Sequence, residues 1–189
     1  MRTMLIPGVV VFAVLLGACA NTATPGPGAD SSGSDAPSLA PEVADRLDAY
    51  EAVIRHLVGS EQVDWETIYI MERICANAGD GAEAKGCDEV FTATDQEEIT
   101  TRLADLGAPI RFVHDYEEAD PHGRIVDGRE HSVFVWLGPV AAGPEGSLEV
   151  PGSMQCGGLC GTGSVWKLEQ RQGTWAVVGS AEGAGVWIA

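Results

Sequence analysis

Cys19 carries the clearest chemistry in the chain. It directly follows Leu16-Gly17-Ala18, an aliphatic residue and two small ones. A cysteine thiolate is nucleophilic enough to take a diacylglyceryl group as a thioether. Small side chains ahead of it suit cleavage by a membrane-embedded peptidase. The densest group of possible metal ligands is His114, Asp115, Glu117, Glu118, Asp120 and His122. Carboxylates with histidine suit a divalent cation, but the order lacks the glycine and closing glutamate of a calcium-binding helix-loop-helix. A solvated acidic loop is the expected reading. Ser132 beside His131 suggests a nucleophile and base, yet no Gly-x-Ser-x-Gly elbow surrounds it. Ser164, in Gly161-Thr162-Gly163-Ser164, opens a strand rather than a helix, so these glycines make a poor phosphate cradle. No catalytic residue, metal ligand or cofactor is expected.

The residues ahead of Cys19 have the form of an export signal. Met1–Thr3 holds one basic residue, Arg2, and Met4–Leu16 has no charged or polar side chain. Such a stretch, ended by small residues, is a secretory leader. Together with Leu16-Gly17-Ala18-Cys19 it resembles the lipobox of bacterial lipoproteins, with Gly17 a tolerated variant. The resemblance implies cleavage before Cys19, lipid on its thiol and anchorage at the extracytoplasmic face of a membrane. Two acyl chains at ~0.8 kcal/mol per buried CH₂ hold a protein stably, where one chain is marginal. An uncleaved span is disfavoured because the uncharged run Met4–Ala20 is short and contains Pro7 and Gly8. Asn21–Ala40 is rich in Pro, Gly, Ser, Ala and Thr and has no aromatic residue. It reads as a flexible tether. The expected organisation is therefore a signal at 1–18, lipidated Cys19 with a tether over 19–40, and one globular domain over 41–189.

Export bears on the other four cysteines. An even number in an oxidising compartment reads as two disulfides. Of the three pairings, proximity favours Cys75–Cys87 and Cys156–Cys160. A four-thiolate zinc site is the alternative, but Cys75 and Cys87 are too far apart for a usual knuckle. Three residues separate Cys156 from Cys160, rather than the two of a redox-active motif. The chain has 11 basic and 28 acidic residues, a formal charge of −17, and Arg2 is the only charge before Cys19. A mature chain this acidic repels phosphate backbones and anionic head groups, so no nucleic-acid partner is expected.

The elements that must position these residues follow from periodicity. Val43, Leu47, Tyr50, Val53, Ile54, Leu57 and Val58 recur at helical spacing, which predicts an amphipathic helix over Pro41–Val58. Thr67–Met71 has strand composition. Thr94-Asp95-Gln96-Glu97 predicts a capping box opening a second helix, with Ile99, Leu103 and Leu106 on its inner face and Gly107 and Pro109 at its end. Ile110–Val113, Ser132–Leu137, Ser147–Val150, Ser164–Gln170 and Thr174–Val178 read as strands, the last two forming a hairpin about Arg171-Gln172-Gly173. Val186-Trp187-Ile188 suits an edge strand. Two helices early and a mainly antiparallel sheet late make an α+β plan.

The run Cys156-Gly157-Gly158-Leu159-Cys160-Gly161-x-Gly163-x-x-Trp166-x-Leu168, then Gly173-x-Trp175-x-Val177, resembles a pattern of uncharacterised secreted bacterial domains. The resemblance implies a glycine-rich disulfide loop leading into a terminal hairpin, and no activity. The expected function is a non-catalytic interaction or envelope role for a membrane-anchored lipoprotein, its protein or small-molecule partner unspecified. The alternative is a small-molecule binding module, since a curved sheet closed by a helix is similar to cystatin- or nuclear-transport-factor-like cones with apolar cavities. A pocket lined by Trp136, Trp166 or Trp175 is what that alternative needs. An enzyme needs His131 or His114 converging with carboxylates in a cleft.

Overall fold

A computed structural model describes residues 42–59, 63–79, 85–120, 124–125 and 131–188. The expected leader at 1–18, Cys19, the expected tether to residue 40 and His122 lie outside the described residues. The element order is α1 (Val43–Gly59), β1 (Thr67–Met71), β2 (Arg73–Ile74), β3 (Glu89–Val90), α2 (Ala93–Arg102), β4 (Ile110–Val113), α3 (Tyr116–Ala119), β5 (Ser132–Leu137), β6 (Ala141–Ala142), β7 (Leu148–Gly157), β8 (Cys160–Arg171), β9 (Thr174–Ser180) and β10 (Trp187–Ile188). This is an α+β fold.

The main sheet runs β10-β8-β7-β5-β1-β4, with β9 also on β8 and β6 on β7. It is mixed. β1 pairs parallel with both β4 and β5, while the β5–β7, β7–β8, β8–β9 and β8–β10 pairings are antiparallel. The parallel half, absent from the sequence expectation, comes from two crossovers. α2 carries the chain from β1 back to the starting end for β4, and α3 lies on the path from β4 to β5. Returning through a helix sets strands in the same direction.

Period-two alternation separates two apolar layers. Ile68 and Ile70 of β1, Val133, Val135 and Leu137 of β5, and Leu148 and Val150 of β7 face α1 and α2. From α1, Tyr50, Val53, Ile54 and Leu57 are fully buried against them, joined by Ile99 and Leu103. Each such side chain contributes about 1.5–3 kcal/mol of burial. Gly152 lets α1 approach, since a Cβ there would lie 2.9 Å from Val53 Cγ1. On the opposite face Tyr69, Met71, Val113, Phe134 and Trp136 pack with Tyr116 and Ile125.

The capping box lies two residues earlier than expected. Thr92, not Thr94, caps α2: its Oγ1 accepts from Asp95 N at 3.2 Å, and the Asp95 carboxylate accepts from Thr92 N at 3.0 Å. Both tetrads have a threonine followed by an acidic residue. Buried Phe91, just ahead of Thr92, anchors the earlier register in the core.

β7 and β8 are longer than Ser147–Val150 and Ser164–Gln170. They form one hairpin paired from Leu148↔Leu168 to Gly157↔Cys160. Its outer half is glycine-rich and has weak strand propensity, so pairing across the ladder rather than composition defines it.

Candidate functional site

The hairpin ends in the two-residue turn Gly158-Leu159, and a disulfide joins Cys156 to Cys160 across it. Leu159 at the tip is 91 % exposed. Residues 150–166 contain no charged side chain, although the chain carries −17 overall. The second disulfide, Cys75–Cys87, closes a loop after β2. That loop is fixed by Cys75 N–H donating to Leu137 O at 2.9 Å, Ala78 N–H to Cys75 O at 3.0 Å and Ala76 N–H to Gly86 O at 3.1 Å. It brings Gly79 onto β8 at Ser164, whose backbone lies too close for any side chain at position 79.

These parts converge on Trp187. Its indole lies over Gly161 and Gly163 of β8, and Nε1 donates to Gly79 O at 2.7 Å. A Cβ on Gly161 would come 2.9 Å from the indole ring. One on Gly163 would strike the indole nitrogen, Ser153 Cβ (2.6 Å) and Gly79 O (2.8 Å). Two glycines at period two on one strand face make a flat floor that an edge aromatic covers. Ser164 Oγ donates to Gly185 O at 3.1 Å, tying the preceding residues to the same strand. One disulfide holds the loop that supplies the acceptor, and the other closes the turn next to the floor. Gly161, Gly163, Gly79 and Trp187 were not grouped by sequence reasoning. The legible signal was the Gly-x-Gly spacing in a strand with a tryptophan on a terminal edge strand.

The paired cysteines are those proximity favours, Cys75 with Cys87 and Cys156 with Cys160. The acidic segment serves its own backbone. Asp115 accepts from Glu118 N at 2.8 Å and caps α3, Glu118 accepts from His114 N at 2.9 Å, and Asp120 accepts from Arg124 N and Ile125 N at 2.6 and 2.8 Å. His114 Nδ1 lies 3.7 Å from Glu72 Oε2. Among the described residues no three histidine, cysteine, aspartate or glutamate side chains converge as a metal would need. Ser132 is buried at the start of β5 and paired in register with Thr67, while His131 is exposed and its carbonyl accepts from Glu66 N at 2.7 Å.

The tryptophans do not share one lining. Trp166 is buried in the α1-side core and donates to Gly152 O at 2.8 Å. Trp175 packs at the edge of that core and donates to Asp45 Oδ1 at 3.1 Å. Trp136 lies on the other face with Tyr116 and Phe134, whose rings are 4.0 Å apart. There the Tyr116 hydroxyl donates to Gln155 Oε1, and burial raises its phenol above the ordinary tyrosine range. His56 stacks edge-on against Trp166 at 4.5 Å, and the accompanying desolvation lowers its imidazole from the usual value. No family model, curated protein or solved structure matches this chain.

Proposed function

We propose that the chain is an exported lipoprotein, lipidated on Cys19 and held at the extracytoplasmic face of a membrane, whose domain is a non-catalytic interaction module. The carrying observation is the pair of disulfides, Cys75–Cys87 and Cys156–Cys160, an arrangement suited to an oxidising compartment. The lipobox-like Leu16-Gly17-Ala18-Cys19 supports the same compartment from the sequence. The uncharged hairpin tip with Leu159 supports the interaction role, because charge is depleted at the centre of protein contacts. Asp115, Glu118 and Asp120 of the acidic segment accept hydrogen bonds from backbone N–H groups of that same segment, which supports the same reading.

Radiolabelled palmitate tests the anchor. The wild type incorporates label and sediments with membranes, whereas Cys19→Ser loses both properties. Equal labelling of the two proteins overturns the proposal.

A further inference from the structure

We infer that the strap around β10, residues 185–188, exchanges between two copies, each seating Trp187 in the other's glycine-floored slot. The slot is a firm receptor. Its floor is Gly161 and Gly163, its acceptor is Gly79 O, and a disulfide lies beside each.

The strap is held by its two ladder pairs and by two hydrogen bonds, Trp187 Nε1 to Gly79 O and Ser164 Oγ to Gly185 O. β10 contributes only Trp187↔Gly163 and Ile188↔Thr162 to the ladder, and the side chains flanking Trp187 stay in solvent, Val186 at 51 % and Ile188 at 82 % exposed. The connection to β9 is a short turn, closed by Ala184 N–H donating to Ala181 O at 3.1 Å. Gly183 within it has φ +77, and neither Gly183 nor Gly185 has a neighbour that would crowd a side chain. A short strand on a glycine-containing hinge is the kind of element that protomers exchange, because every contact it makes within one chain is remade in the other.

Charge selects the occupant. Two copies each carrying −17 repel over most of their surfaces, but the strap and the hairpin segment 150–166 contain no charged side chain. Self-approach costs least at this end. The sequence seen to fit the slot is this chain's own Val186-Trp187-Ile188, so a second copy brings a matching ligand by construction. Within one chain the hinge keeps the strap at high effective concentration, and exchange therefore grows with protein concentration. The exchange does not depend on lipidation.

The test uses the full chain carrying Cys19→Ser. Thr162→Cys and Ile188→Cys are placed in separate chains of different tagged mass and co-expressed. Exchange yields a covalent heterodimer of twice the monomer mass on a non-reducing gel. Closure of the Thr162→Cys/Ile188→Cys double variant within single chains, with no heterodimer from the co-expressed pair, overturns the inference. Failure of the double variant to form any bond overturns it too, because the strap is then not seated. Independently, sedimentation of the chain without added cysteines gives a dimer fraction that rises with concentration and is lost in Trp187→Gly. A dimer that survives Trp187→Gly, or a wild type that stays monomeric, also overturns it.

Discussion

Tyr50 sits fully buried on α1, edge-on to Phe91 at 5.0 Å, and among the described residues its hydroxyl makes no hydrogen bond of normal geometry, although the Val140 backbone lies close by. Periodicity placed this residue in the core, since Tyr50 falls on the apolar stripe between Leu47 and Val53. It could not tell that the hydroxyl would be left without a partner, because that depends on the backbone of a loop ninety residues away in the chain. A buried, unpaired hydroxyl costs about 1–3 kcal/mol. Tyr50→Phe should therefore hold or raise stability at neutral pH by up to about 1–3 kcal/mol in urea denaturation, and a clear loss would show that the hydroxyl is bonded after all. Burial also raises the Tyr50 phenol above its ordinary value of about 10. The native state then keeps its proton where the unfolded chain gives it up. The stability this contributes is complete below pH about 10 and declines as pH rises further. Tyr50→Phe should flatten that alkaline decline, and an unchanged slope would assign the decline to other groups, Tyr116 among them.

The elements differ in how far they were legible. α1, β1, β4 and β5 lie where hydrophobic period and β-branched composition put them, because each buries a stripe or face within its own short window. The outer half of the β7–β8 hairpin was hidden, since Gly152, Gly157, Gly161 and Gly163 remove the alternation that marks a strand. α2 joins α1 through a seam that no local pattern encodes. Arg102 bonds Asp48 and lies 3.6 Å from Glu51, and Arg55 bonds Asp105 at 2.7 Å and the Arg102 carbonyl at 2.8 Å. The disulfides act at this scale also. Cys75–Cys87 closes a separation of 12 residues and Cys156–Cys160 one of 4. Loop-closure entropy assigns about 3 kcal/mol to the first and about 2 kcal/mol to the second. Urea midpoints should thus fall further for Cys75→Ser/Cys87→Ser than for Cys156→Ser/Cys160→Ser. The reverse order would mean that the hairpin turn, and not the Gly79 loop, is the main brace of the Trp187 slot.

For the whole molecule, acidic residues outnumber basic ones, 28 to 11. A net −17 repels itself, and the α1–α2 ion pairs that oppose this repulsion are partly exposed, each contributing about 0–1 kcal/mol. Raising sodium chloride from about 0.01 M to about 0.5 M shortens the screening length several-fold. The melting temperature should rise as repulsion is screened. A fall would show that the α1–α2 seam outweighs the net charge. The sequence alone determined the features that live in neighbouring residues or in totals: the acidic composition, the two close-spaced cysteine pairs, the amphipathic first helix and the α+β plan. Only the tertiary structure decided the parallel pairing of β1 with β4 and β5, the register of the capping box, and the meeting of Gly79, Gly161, Gly163 and Trp187 beside both disulfides. Those residues are separated by up to 108 positions along the chain. Their association depends on how the sheet closes, and no local window of sequence contains that information.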